Sequence, residues 1–172
     1  DNPDVATTLD NLGMVLVQRG DYAAAEGRLL RALSIHEQRA SDRATLATVI
    51  HDLGHLAMLR GEYARAREQF DRALTMRTSK FEKGHRAIAS VLESLGELAM
   101  TLGRYDEALK LFEEVLATRR RADTPQPEIA RAILHVAEVR GRRGERDEAL
   151  RLVDEASRMF ERTMGLAHPE AA

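Results

Sequence analysis

The sequence of 172 residues contains no cysteine and no tryptophan, and aromatic residues make up only 4% of it. Without cysteine it cannot form disulfides, thiolate metal sites or a thiol nucleophile, which fits a reducing compartment and favours a cytoplasmic location. No apolar run approaches the roughly 20 residues that a membrane-spanning helix needs. The N-terminus also lacks the basic-then-apolar layout of a signal peptide.

An excess of charge of one sign is missing too. The 26 basic residues nearly balance the 28 acidic ones, and the net charge of -2 gives no reason to expect a nucleic acid or a membrane as partner. Arginines crowd residues 119–121 and 140–146, a pattern typical of solvated helix ends that complement the helix dipole. Motifs for phosphate, dinucleotide or calcium binding and for a nucleophile elbow are absent, so we expect no enzyme activity and no cofactor.

What the sequence does contain is an internal repeat. The segments DNLGM (10–14), HDLGH (51–55), ESLGE (93–97) and LHVAE (134–138) recur at spacings of 41, 42 and 41 residues. Each is followed by a glycine-containing turn and a second apolar segment. We predict one array of four repeats, at about residues 4–40, 44–80, 86–122 and 127–164, with 165–172 beginning a further linker or repeat.

Apolar residues at three- and four-residue spacing predict two helices in each repeat and no strand. A glycine at the end of each first helix is suited to a left-handed C-cap: Gly20, Gly61, Gly103 and Gly144. In the first repeat the apolar face of the first helix consists of Val5, Leu9, Leu12 and Leu16. The inner stripe of the second helix consists of Tyr22, Ala25, Leu29 and Ala32.

Three repeats also place a glycine in the middle of the first helix: Gly13, Gly54 and Gly96. Because glycine there costs about 1 kcal/mol relative to alanine, its repeated use predicts a close approach of the paired helix. The small residues expected to meet these glycines are Ala25, Ala66 and Ala108. The fourth repeat has Ala137 instead, and we expect its helix pair to be less tightly packed.

The Leu-Gly pair, the Gly-x-Tyr turn, the small alanine and the following Phe or Leu resemble the tetratricopeptide repeat. The period is similar to that of the long-helix subtype found in kinesin light chains and many bacterial regulators, whose linker pattern is matched by NPDVA (2–6) and HPEAA (168–172). The resemblance implies an all-α, right-handed superhelical solenoid of four helix-turn-helix repeats. Both ends of the chain fall in such a linker, which indicates a piece of a longer array.

The resemblance also implies that the first helices form a concave groove for a protein or peptide partner. The candidate groove residues are Asp10, Asn11, Met14, His51, Asp52, His55, Glu93, Ser94, Glu97, His135 and Glu138. Only Asn11 keeps the asparagine that binds peptide backbone in kinesin-like members, and the excess of carboxylates favours a basic or neutral partner. The alternative function is a ligand-sensing regulatory segment of a larger bacterial signalling protein.

His51 and His55 are four residues apart on one helix, a spacing that can hold a metal ion, with Glu93 and Glu97 as conceivable further ligands. Other repeats carry unrelated residues at the two histidine positions. We therefore interpret the histidines as polar groove surface, and expect neither a tight metal site nor catalysis.

The last helix suggests a second interaction surface. Once Ala149, Val153 and Ala156 are assigned to contacts within the repeat, the apolar residues left over for self-association are Leu152, Met159, Phe160 and Met164. The repeat positions equivalent to Phe160 carry side chains suited to water: His36, Arg77 and Arg119. The alternative is a local cap in which Phe160 folds against Met164 and Leu166.

Overall fold

A computed structural model describes residues 3–38, 42–122 and 124–163 of the chain. These ranges contain eight helices and no strand: α1 (Pro3–Gln18), α2 (Tyr22–Gln38), α3 (Arg43–Leu59), α4 (Tyr63–Thr78), α5 (Arg86–Thr101), α6 (Tyr105–Arg121), α7 (Gln126–Arg142) and α8 (Arg146–Thr163). The prediction of an all-α protein built from four helix pairs is confirmed.

The chain divides into two compact units, Asp1–Lys83 and Gly84–Ala172, called unit 1 and unit 2 below. Each unit holds two repeats. In unit 1, α1 pairs with α2 and α3 with α4, and α3 also packs against α2; unit 2 repeats this pattern with α5 to α8. The prediction of one continuous superhelical array stays a prediction.

The turns within the repeats are closed as the glycines predict. Gly20, for example, has a φ of 79°, in the left-handed region that favours glycine. Its N–H donates to the Val17 carbonyl at 2.9 Å, and the Asp21 N–H donates to the Leu16 carbonyl at 3.0 Å. The Asp21 carboxylate then accepts from the Ala24 N–H and caps the start of α2. The end of α1 and the start of α2 are therefore both determined by local hydrogen bonds within a few residues.

The glycines inside the first helices make room for large side chains, not for the alanines. A Cβ atom added to Gly54 would lie 2.6 Å from the Phe70 ring, and one added to Gly96 would lie 2.6 Å from the Phe112 ring. A Cβ atom added to Gly13 would lie 2.8 Å from the Leu29 side chain. The expected alanines Ala66 and Ala108 are thus not the nearest contacts of Gly54 and Gly96, whereas the Ala25 carbonyl oxygen does lie near Gly13, 3.6 Å from the added Cβ atom. The residue one turn further along the second helix fills the space instead.

The first helix of the chain is less covered than the sequence predicts. Leu9 and Leu16 are half-buried, but Val5 and Leu12 of the same predicted face are exposed. At the position of Leu12 in α3, Leu53 is buried. The difference arises because α3 packs against the preceding helix α2, whereas α1 is the first helix described.

Candidate binding walls on the first helices

In unit 1 the candidate groove residues come from α1 and α3. Asn11 is exposed, Asp10, Met14, Asp52 and His55 are half-buried, and His51 is buried. We call these six residues the unit 1 wall. The structure brings the residues of the two helices together at Asp10 and Asp52, whose carboxyl groups lie close enough to shift each other's pKa.

Two neighbouring carboxyl groups in a partly buried site repel each other when both are ionised, which raises the electrostatic free energy. Burial, followed by the charge of Asp10, raises the pKa of Asp52 to about 7, although the charge of Arg77 opposes this. Burial also raises the pKa of Asp10, against the opposing effects of the His36 charge and the hydrogen bond from Asp52. The two carboxyl groups therefore share a proton near neutral pH, and it is favoured on Asp52, where burial raises the pKa most.

The two histidines of the unit 1 wall belong to an aromatic cluster. The ring centroids of His51 and His55 are 4.6 Å apart, and they lie 5.5 and 5.4 Å from that of Phe70. The ring of Phe70 is the one that fills the space over Gly54. Among the residues that the structure describes, no three His, Cys, Asp or Glu side chains are grouped to hold a metal ion.

In unit 2 the wall is built around a half-buried ion pair. Arg119, from the end of α6, donates to both Glu93 carboxylate oxygens, with Nη1–Oε1 at 3.0 Å and Nη2–Oε2 at 2.6 Å. The same Nη1 donates to the Glu128 carbonyl at 3.2 Å. His135 Nδ1 lies 3.5 Å from Glu93 Oε1. One arginine thus joins α5, α6 and α7.

The other candidate residues of unit 2 differ in how accessible they are. Glu138 is exposed, with Arg142 3.7 Å away. Glu97 is half-buried, and burial together with the charge of Glu93 raises its pKa. Ser94 is buried, 3% exposed, and its hydroxyl donates to the Ser90 carbonyl. It is therefore not presented to a partner.

His135 is enclosed by the same cluster. Its ring centroid lies 4.8 Å from that of Phe112. Burial lowers the pKa of His135, and the negative charge of Glu93 opposes this. Glu93, Glu97, His135 and Glu138 form the unit 2 wall in the rest of the text.

The basic residues at the ends of the second helices are the feature that sequence reasoning missed. His36 and Arg77 are buried, 3% and 7% exposed, and the Arg119 side chain is 13% exposed, so the prediction that they suit water is wrong. His36 and Arg77 are buried and Arg119 is half-buried because each lies under the wall beside a carboxylate. Asp10, His36 and Asp52 occupy the same repeat positions as Glu93, Arg119 and His135.

A depression on unit 2 extends the wall beyond the candidate residues. It is lined by Met100, Thr101 and Tyr105 together with Glu138 and Arg142. Its lining combines an aromatic ring and a methionine with one charge of each sign, a composition suited to holding a side chain of a bound segment.

Comparison with protein families identifies the repeat. Two family models described as "Tetratricopeptide repeat" match the chain, one at residues 42–121 and the other at residues 5–41 and 129–170. The chain therefore belongs to the tetratricopeptide repeat family, a family of helical-repeat interaction modules. A search of curated proteins finds no match.

Solved structures with the same fold include BtubC (BKLC) from P. vanneervenii, with a TM-score of 0.85, 21% identity, and coverage of 98% of this chain and 68% of that one. A putative kinesin light chain repeat protein from Podosopora anserina has a TM-score of 0.66 and 16% identity, covering 95% and 98%. A Rap protein complexed with competence and sporulation factor has a TM-score of 0.82 and 17% identity, covering 96% and 46%. No described helix has the length and apolar character required to cross a membrane.

Proposed function

We propose that the chain is a non-catalytic module that binds an extended or helical segment of a partner protein on the walls of its first helices. The observation that carries the proposal is the match to tetratricopeptide repeats over nearly the whole chain. Asn11 and Glu138 are the wall residues most open to a partner, and the depression beside Glu138 offers a place for an anchoring side chain.

The charges on the walls favour a neutral partner with an occasional basic residue. Counting carboxylates overstates the negative charge, since Glu93 is paired with Arg119 and Asp10 shares a proton with Asp52. A lysine or arginine of the partner gains most at the Asp10–Asp52 pair, where it would favour loss of the shared proton. Such a partner should bind more tightly at pH 8 than at pH 6.

A displayed peptide library with neutral, basic and acidic members tests this function. Peptides selected by the protein are labelled and their affinities measured by fluorescence polarisation. The substitutions Asn11→Arg in unit 1 and Glu138→Lys in unit 2 should each weaken peptides bound at that wall by about tenfold or more. Glu114→Lys, at an exposed glutamate of α6, is the matched control. Binding that neither wall substitution changes, or selection of mainly acidic peptides, would contradict the proposal.

A second candidate function is a regulatory segment within a larger signalling protein. It is favoured by the similarity to the Rap protein solved with competence and sporulation factor, of which this chain covers less than half. In that case the coding sequence on one side of this chain should specify a catalytic or DNA-binding domain whose activity responds to a peptide on the walls. An encoding gene with repeats alone would refute this second candidate.

A further inference from the structure

The last helix, α8, exposes an apolar face. In α6, the second helix of the preceding repeat, the equivalent face is buried. Leu150 is 64% and Val153 40% exposed, and we call these two residues the α8 face. At the same repeat positions α6 carries Leu109 and Phe112, both buried, and the Phe112 ring contacts His135 of the following helix α7. The α8 face thus has the position and apolar character of a surface that receives a first helix.

The first helix exposes the counterpart of that surface. Leu12 is 41% and Val15 50% exposed, and these two residues are called the α1 face. The equivalent residues of α7, Val136 and Val139, are buried although no repeat follows α7 and α8 among the described residues. Val136 and Val139 are covered by α8, with which α7 pairs, and by the preceding helix α6. Among the described residues, the α1 face therefore lacks only the cover of a preceding second helix.

Charges at one end of these faces are complementary. In unit 2, Arg143 after α7 pairs with Asp106 of the preceding helix α6 at 3.0 Å. The residue equivalent to Asp106 on α8 is Asp147, and the residue equivalent to Arg143 after α1 is Arg19. The two faces thus carry opposite charges at the position where unit 2 has an ion pair between its repeats.

The other end shows the same complementarity. In unit 1, Glu37 of α2 pairs with Arg72 of α4 at 3.1 Å across the step between the repeats. The residue equivalent to Glu37 on α8 is Glu161, and the residue equivalent to Arg72 on α2 is Arg31. An acidic residue again lies on the α8 side and a basic residue on the α1 side.

We propose that the chain associates head to tail with a second copy of itself, the α8 face of one copy packing against the α1 face of the next. Asp147 then pairs with Arg19 of the next copy, and Glu161 pairs with Arg31. The contact reproduces the step between repeats that both units contain. It joins two different surfaces, so association continues beyond a dimer. It uses surfaces separate from the walls and does not rest on the proposed function.

The α8 face differs from the self-association surface expected from the sequence. Leu152, Met159 and Phe160 are half-buried, and Met164 lies outside the described residues, as does Leu166 of the alternative cap. Val153, which the sequence assigned to contacts within the repeat, is exposed instead. The neighbouring positions Leu150 and Val153 therefore replace the predicted ones.

Sedimentation velocity of the whole 172-residue chain over a wide concentration range tests the proposal. The average mass should rise past that of a dimer, and Leu150→Arg should weaken the association at least about tenfold. The fold tolerates arginine here, because α4 has Arg67 at this position paired with Asp71, and Asp154 lies at the corresponding place in α8. Leu30→Asp, at an exposed leucine of α2 outside both faces, is the matched control and should change nothing.

Charge reversal tests which surfaces meet. A tail variant, Asp147→Arg with Glu161→Arg, and a head variant, Arg19→Asp with Arg31→Asp, should each associate about tenfold more weakly, since like charges then face each other. Mixed together, they should recover association beyond a dimer as alternating chains, because the reversed tail of one variant meets the reversed head of the other and the unchanged tail meets the unchanged head. A chain that stays monomeric throughout, or association that the head variant leaves intact, would overturn the proposal.

Discussion

The shared proton of Asp10 and Asp52 makes an unusual prediction, that removing a charged residue stabilises the protein. A carboxyl group whose pKa rises from 3.8 to about 7 on folding carries a penalty of up to about 4 kcal/mol when it is ionised. The Asp52 side chain keeps 15% exposure, and the positive charge of Arg77 lies nearby, so we expect about half of that penalty to be realised.

The direction in which stability changes with pH follows from proton binding. Asp52 holds its proton more tightly in the folded state, so its contribution to stability is full below pH 4 and is lost as the pH rises through about 7. In Asp52→Asn the amide donates to Asp10 at every pH. The variant should therefore match the parent protein near pH 4 and exceed its free energy of unfolding by about 2 kcal/mol at pH 8.

Urea unfolding followed by circular dichroism, at several pH values between 4 and 8, measures this difference. Asp154→Asn, at an exposed aspartate of α8, is the control and should leave the pH dependence unchanged. A difference between Asp52→Asn and the parent that does not grow with pH would refute the shared proton. So would a variant that is less stable than the parent at pH 8.

Three further predictions concern a close helix contact, the ion pair of unit 2 and the histidines of α3. Gly54→Ala should lower the free energy of unfolding by about 1–3 kcal/mol in urea titrations, because its Cβ meets Phe70, and the loss should be smaller when the same substitution is made in a Phe70→Leu background. Arg119→Met should cost about 1–3 kcal/mol, because it removes the charged partner of the half-buried Glu93 carboxylate. Adding Glu93→Gln in the same chain should recover part of that stability, and a double variant that recovers nothing would contradict the ion pair. Calorimetric titration with zinc should show no submicromolar binding, since the α3 histidines have no third ligand among the described residues.

The sequence by itself determined the helices and the turns, because the signals for these are local. The three- and four-residue spacing of apolar residues sets a helix and its buried face. Gly20 ends one helix through its positive φ, and Asp21 caps the next within four residues. The repetition of these signals at 41 or 42 residues then indicates paired helices and the family, without any knowledge of the tertiary contacts.

Only the tertiary structure decided which side chains meet across helices. Periodicity assigns a residue to a face but does not say what lies opposite, so the partner of Gly54 is Phe70 and not the expected alanine. Arg119 donates to Glu93, 26 residues away, so a side chain expected in water is half-buried instead. Position in the array matters as well. Leu12 and Leu53 occupy the same place in the repeat, and of the two only Leu53 is covered by a preceding helix among the described residues.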